Sequence, residues 1–260
     1  MQIFSKRKRF VIASVLLSIG FLGIQALPEA FRFISIGILG IFTLIFFILS
    51  LWEGLSRDLT LLTLILPFFY TVAIGFFWFL LPSSIFAKFP VIILYGIGIY
   101  ALNLTMNIYT VSAIRTIALL RAARGVGFVL TLFTLFLLFD NILSVRLPIY
   151  FSAPIIALLS FPIYLQGFWS VTLDKNFTQE IISTSFISSL ITTEIAVSLF
   201  FWPVTIAVGS LFLTLTAYVM LGLGQSNLEG RLFKGTVRDY ILVAVIVFIG
   251  MYFLTSWSGL

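Results

Sequence analysis

Apolar segments of membrane length recur along the whole chain, and this recurrence constrains the fold more than any other feature. A transmembrane helix needs about 20 mainly apolar residues, and nine such segments are separated by links too short to form a soluble domain. They are residues 10–27, 33–51, 59–81, 91–114, 126–145, 149–171, 181–201, 204–223 and 240–257. We therefore predict an all-α fold, a polytopic integral membrane helix bundle of about nine transmembrane helices, with residues 1–260 forming a single transmembrane helical domain.

The composition supports the same class. Hydrophobic residues make up 61% of the chain and charged residues 9%, whereas soluble proteins average about 45–50% and about 25%. Such a chain cannot cover itself with a water-compatible surface, so its main partner is the lipid bilayer. The first apolar segment follows a basic start, as a secretory signal does, but it exceeds the usual apolar core of about 7–15 residues. We interpret it as an uncleaved first helix.

The distribution of basic residues predicts the orientation. Cytoplasmic links of membrane proteins carry an excess of Lys and Arg. With the amino terminus inside, nine spans place only Arg32, Lys88 and Arg146 outside. The twelve basic residues on the inner side are Lys6, Arg7, Lys8, Arg9, Arg57, Arg115, Arg121, Arg124, Lys175, Arg231, Lys234 and Arg238. We predict a multi-pass protein of the plasma (inner) membrane with a cytoplasmic amino terminus and an outside carboxyl terminus.

The seventh segment leaves an alternative open. Residues 181–193 contain seven Ser and Thr residues, a composition that also suits a helix lying on the membrane surface. In that case the next helix begins near Glu194, the chain has eight spans plus one interfacial helix, and the basic bias falls to nine against six. The stronger bias favours nine spans.

The absence of histidine and cysteine excludes several kinds of chemistry. Without these residues the chain cannot build a Ser-His-Asp triad, a histidine zinc site, a thiol nucleophile or an iron–sulfur ligand set. We expect no cofactor, and any metal would be a hard cation bound by oxygen ligands. The net charge of +6 is distributed among the links, so it indicates topology and not a nucleic-acid partner.

Polar side chains within apolar spans are the candidate functional residues, because burying them in lipid is costly. At a rise of about 1.5 Å per residue, Gln25, Asp140 and Glu194 lie about 20–22 Å above the inner ends of their helices. On the fourth helix, which runs inward, Asn103 and Asn107 lie about 18 Å and 24 Å below the outer end. If these helices are neighbours, the five residues form an outward polar cavity.

Each of these residues also has a structural interpretation. Asp140 lies near the outer end of its helix, where headgroup water would reach it, and Glu194 would begin a helix in the eight-span alternative. Asn103 and Asn107 could form hydrogen bonds between helices, which contribute about 0.6 kcal/mol each in membrane proteins.

Two groups of basic residues at predicted inner links are candidate cytoplasmic contacts. Arg115, Arg121 and Arg124 follow the fourth span, and the second group occupies the polar link 224–239. That second group is Arg231, Lys234 and Arg238. Both groups anchor the topology, and both suit anionic lipid headgroups or a cytoplasmic or membrane protein partner.

Three hypotheses for the function follow. The first is a small transport or permeation protein that uses the outward cavity. The second is a non-catalytic membrane subunit or assembly protein, in which the polar groups only join helices. The third is an enzyme acting on a lipid-linked substrate, which is the least favoured because catalysis would depend on Asp140 or Glu194 alone.

Overall fold

A computed structural model describes residues 5–25, 27–52, 60–81, 85–112, 118–173 and 178–255, and this part of the chain contains nine helices and no strand. The helices are α1 (Lys6–Gln25), α2 (Glu29–Leu51), α3 (Thr60–Leu80), α4 (Ile85–Ser112), α5 (Leu120–Ser144), α6 (Ile149–Thr172), α7 (Gln179–Phe200), α8 (Ile206–Leu228) and α9 (Lys234–Leu254). Each of the nine predicted apolar segments corresponds to one helix.

The all-helical membrane fold is confirmed. Eight of the described helices, α2 to α9, are long and apolar enough to cross a membrane. The first helix, whose residues 6–9 are basic, is not among these eight.

The seventh helix is continuous. Thr178 caps its start by accepting a hydrogen bond from the Ile181 amide, and α7 then runs without a break through Glu194 to Phe200. This contradicts the alternative in which a new helix begins near Glu194. The link that follows contains Pro203, which cannot donate a backbone hydrogen bond, and α8 begins shortly after it at Ile206.

The predicted polar link 224–239 is largely helical, which corrects the sequence-based boundary. Helix α8 continues to Leu228 and α9 begins at Lys234, so only a short turn separates them. Gly230 has a φ of +67°, a backbone conformation that glycine adopts without steric cost. Hydropathy locates the apolar part of a helix, but a helix continues into the headgroup region, where polar side chains are solvated.

The contacts divide the chain into two compact units, Met1–Leu130 and Thr131–Leu260, with the boundary inside α5. In unit 1, Phe21 packs edge-on against Trp78 with ring centroids 5.3 Å apart, and it also contacts Tyr95 at 5.0 Å. These rings join α1, α3 and α4 in an aromatic core. Tyr70 stacks on Tyr95 on the far side of the same core.

In unit 2, α6 packs against α7 and α8, while α9 packs against α8. Trp202 and Phe248 join the link before α8 to α9, with ring centroids 5.6 Å apart, and Tyr218 contacts Tyr240 at 5.1 Å. Only 6% of the α9 span is buried. Helix α9 therefore presents most of its apolar surface to its surroundings.

Candidate functional site

Asp140 is a buried carboxylate in unit 2. It lies near the end of α5 and is 9% exposed. The Ser210 hydroxyl of α8 donates to Asp140 Oδ1 at 3.1 Å, but the same hydroxyl lies 2.7 Å from the Ile206 carbonyl oxygen. Since a serine hydroxyl has one proton, the two acceptors share a single donor. Asp140 is therefore a buried carboxyl group that is joined to α8 through one shared hydroxyl donor.

A cavity of about 370 Å³ in unit 2 is lined by residues close in the chain to Asp140 and Ser210, although these two residues are not part of its lining. It is formed by the end of α5, the start of α6, the end of α7 and the start of α8, and Leu143 and Gly209 are among its lining residues. Leu143 lies three residues after Asp140, and Gly209 immediately precedes Ser210. The lining also includes the guanidinium-bearing Arg146. Cavities that bind small molecules are of this size and are mostly apolar with a few polar groups.

Glu194 lies elsewhere on unit 2. Its side chain is exposed, as is that of Ser183 on the same face of α7, and neither lines the cavity. Thus the structure does not bring Glu194 and Asp140 into one site, although the depth estimate puts them at the same height. The difference arises because depth along a helix does not say which side of the helix a residue occupies.

The opposite face of α7 pairs with α6 through hydroxyl groups. Ser189 and Ser160 share a hydrogen bond of 2.9 Å, and Thr192 and Tyr164 share one of 2.6 Å. Ser189 is also within 2.8 Å of the Ala157 carbonyl oxygen. All of these side chains are buried within unit 2, so this Ser/Thr-rich face joins two helices. The Ser and Thr content of residues 181–193 is visible in the sequence, but it does not indicate that Ser160 and Tyr164 are their partners.

The amides predicted for the cavity belong to unit 1. Asn103 is fully buried; its Nδ2 donates to the Ile99 carbonyl oxygen at 3.1 Å, and its Oδ1 has no hydrogen-bond partner among the described residues. Asn107 is half-buried, and its backbone carbonyl oxygen accepts a hydrogen bond from the Thr110 hydroxyl. The side chain of Gln25 lies outside the described residues.

Unit 1 contains a second hydroxyl cluster that sequence reasoning missed. Thr71 of α3 shares hydrogen bonds with Thr43 of α2 at 3.0 Å and with Tyr95 of α4 at 3.3 Å. All three are buried, and the cluster joins three helices. The available signal was the presence of hydroxyl side chains in three apolar spans, which does not by itself indicate that these three meet.

The basic residues have ordinary positions at helix ends. Arg121 is exposed and Arg124 is half-buried in the first turns of α5, while Arg115 lies outside the described residues. Arg231 pairs with Glu229 at 3.8 Å. Lys234 and Arg238 are exposed in the first turns of α9, and Arg238 also lies 3.5 Å from Asp239. Exposed pairs of this kind contribute little to stability.

Comparison with known proteins identifies the family but not the activity. A family model described as a protein of unknown function, DUF5656, matches residues 12–254. The chain belongs to this family. The description of the DUF5656 family does not state a function. The matched residues include most of both units. No curated protein and no solved structure matches the chain. A function is therefore inferred from the arrangement of its described side chains.

Proposed function

We propose that this protein is a small transport protein in which Asp140 takes up a proton or a cation from the cavity of unit 2. The observation that supports this is a buried carboxylate with one shared hydroxyl donor, three residues before Leu143 in the lining of a cavity of about 370 Å³. A carboxylate can bind a proton or a cationic ligand. A site that binds and releases positive charge in this way is the central element of a proton- or cation-dependent transporter.

The test is a flux measurement with two matched variants. Purified protein is reconstituted into vesicles containing a pH-sensitive dye, and a potassium diffusion potential drives proton entry. We expect wild-type protein to acidify the vesicles, and Asp140→Asn to reduce the rate at least tenfold because the amide cannot bind a proton. Glu194→Gln makes the same chemical change on an exposed residue, so it should retain the wild-type rate. The same assay is repeated with a sodium-sensitive dye and an inward sodium gradient. Rates equal to those of empty vesicles with both dyes, or an unchanged rate in Asp140→Asn, would refute the proposal.

A membrane subunit is the second candidate, and the exposed carboxylate of Glu194 favours it. Glu194 lies on an α7 face where its neighbours Leu190 and Phe186 are also exposed. A charge on a lipid-facing surface is costly unless another group satisfies it, and a partner helix with a donor would do so. Under this interpretation no flux is detected, and wild-type protein extracted in mild detergent retains one partner at fixed stoichiometry that Glu194→Gln loses.

The proposed orientation places the cavity of unit 2 on the outside, and it can be tested by labelling. The chain has no cysteine, so a single introduced cysteine reacts alone. Phe201→Cys replaces a side chain that is 77% exposed near the cavity end of α7, and we expect a membrane-impermeant maleimide to label it in intact cells. Leu232→Cys, in the turn between α8 and α9, should be labelled only after permeabilisation. The reverse pattern would show that the positive-inside interpretation is wrong.

A further inference from the structure

An open groove runs between α1 and α4 in unit 1. Its volume is about 470 Å³. Val15 and Ile19 of α1 and Ile93 and Ile97 of α4 line it, and these side chains are 46–60% exposed. The groove is therefore a nearly continuous apolar channel that faces the surroundings of the helices.

Small side chains create the groove. Gly96 of α4 lies opposite Ser18 of α1, where an added Cβ would be 2.7 Å from the serine Oγ. One turn before Ser18, the Ser14 hydroxyl donates a hydrogen bond to the Phe10 carbonyl oxygen of the same helix at 2.8 Å. Because these positions carry little volume, the two helices approach closely and leave a depression along their outer edge. Tyr100 lines the groove at the end nearer the start of α1.

The groove leads to two basic side chains. Arg7 and Lys8 are exposed, and they precede Val11, the first α1 residue of the groove, by four and three positions. Residues at these spacings share a helix face, so both basic side chains extend the face that lines the groove. From Val11 to Leu22 the helix rises about 16 Å. This is about half of a hydrocarbon core of about 30 Å, which corresponds to one leaflet.

We infer that this groove binds an anionic phospholipid, with an acyl chain between α1 and α4 and the phosphate group on Arg7 and Lys8. The apolar channel has the length of one leaflet, and the positive charge lies at the end where the headgroup would be. Each basic side chain near the membrane surface favours anionic lipid, so the two together predict a preference of about 30-fold over zwitterionic lipid. This site is separate from the cavity of unit 2 and does not depend on the transport proposal.

The experiment measures local lipid contact by fluorescence quenching. Ile97→Cys introduces the single cysteine of the chain, at a groove position that is 60% exposed, and a small bimane fluorophore is attached to it. The full-length protein is reconstituted with brominated phosphatidylglycerol or with brominated phosphatidylcholine. We expect half-maximal quenching at about a 30-fold lower mole fraction of phosphatidylglycerol. The same label on Leu158→Cys, a position that is 74% exposed on α6, should be quenched equally by both lipids.

Charge variants assign the preference to the two basic side chains. We expect Arg7→Gln with Lys8→Gln to raise the half-quenching fraction for phosphatidylglycerol to that for phosphatidylcholine. Quenching by phosphatidylcholine should stay unchanged, which shows that the protein is still folded in the bilayer. Arg7→Lys with Lys8→Arg retains both charges and should keep the preference.

Filling the groove with a large side chain tests the acyl-chain contact separately from the charges. Val15→Trp places a large ring in the groove and should abolish the preference, whereas Leu16→Trp, on an exposed neighbour that does not line it, should not. Equal quenching by both lipids in the otherwise wild-type protein would overturn the inference. So would a preference that survives the loss of both charges, or a label at position 97 that a second protein molecule shields from both lipids.

Discussion

Replacing Gly98 with alanine is expected to destabilise unit 1 by about 2–4 kcal/mol. Gly98 of α4 lies against the Tyr70 phenol of α3, and an added Cβ would overlap the hydroxyl and its ring carbon. Tyr70 is 1% exposed and donates to the Leu94 carbonyl oxygen at 3.0 Å. Since the ring has no free space to enter, the two helices must separate or the hydrogen bond must break. Overpacking costs about 1–3 kcal/mol, and an interhelical hydrogen bond adds about 0.6 kcal/mol.

The matched controls are Gly23→Ala and Gly37→Ala in the same unit. An added Cβ at either position meets no atom within 4 Å, and alanine favours a helix over glycine by about 1 kcal/mol. Both controls should be neutral or stabilising. Stability is measured by denaturant unfolding of the purified protein in detergent micelles, followed by circular dichroism. Adding Tyr70→Leu to the Gly98→Ala protein should restore part of the loss, and a Gly98→Ala protein as stable as the controls would contradict the packing argument.

Replacing Gly224 with alanine is expected to cost unit 2 about 2–3 kcal/mol. Here the added Cβ would overlap the ring of Phe168 on α6, which is fully buried. The next residue, Gln225, donates from Nε2 to the Gly167 carbonyl oxygen at 3.0 Å. Separating α8 from α6 to admit the methyl group would therefore also lengthen this hydrogen bond.

Gly250→Ala is the control for this second change, because an added Cβ on α9 at that position meets no atom within 4 Å. The same unfolding measurement applies. Phe168→Leu provides space beside position 224, so the double variant should be more stable than Gly224→Ala alone. If the double variant instead shows the summed losses of the two single variants, contact between these side chains is not the cause of the destabilisation.

Hydropathy was sufficient to predict the fold class and the positions of the helices. Lipid cannot hydrogen-bond to the backbone, so an apolar segment of about 20 residues in a membrane forms a helix, which pairs its backbone groups internally. The continuity of α7 also agreed with the stronger charge bias. The boundaries were less accurate: α9 begins at Lys234 and α8 ends at Leu228, because a helix does not end where its apolar residues end.

The contacts between helices could not be predicted in the same way. Asp140 and Ser210 are 70 residues apart, and no spacing within either helix indicates that they meet. The hydroxyl pairs of α6 and α7 did leave a signal, since Ser160 and Tyr164 are four residues apart and Ser189 and Thr192 are three apart. Residues at these spacings share one face of a helix, and a polar face on each of two successive helices favours their pairing. The exposed Glu194 lies on the other side of α7.

The one-sided packing of α9 has a consequence for its angle in a bilayer. Only 6% of its span is buried, but α9 packs along α8. Neighbouring helices set the tilt of a transmembrane helix, so we expect α9 to tilt together with α8 when the hydrocarbon thickness changes.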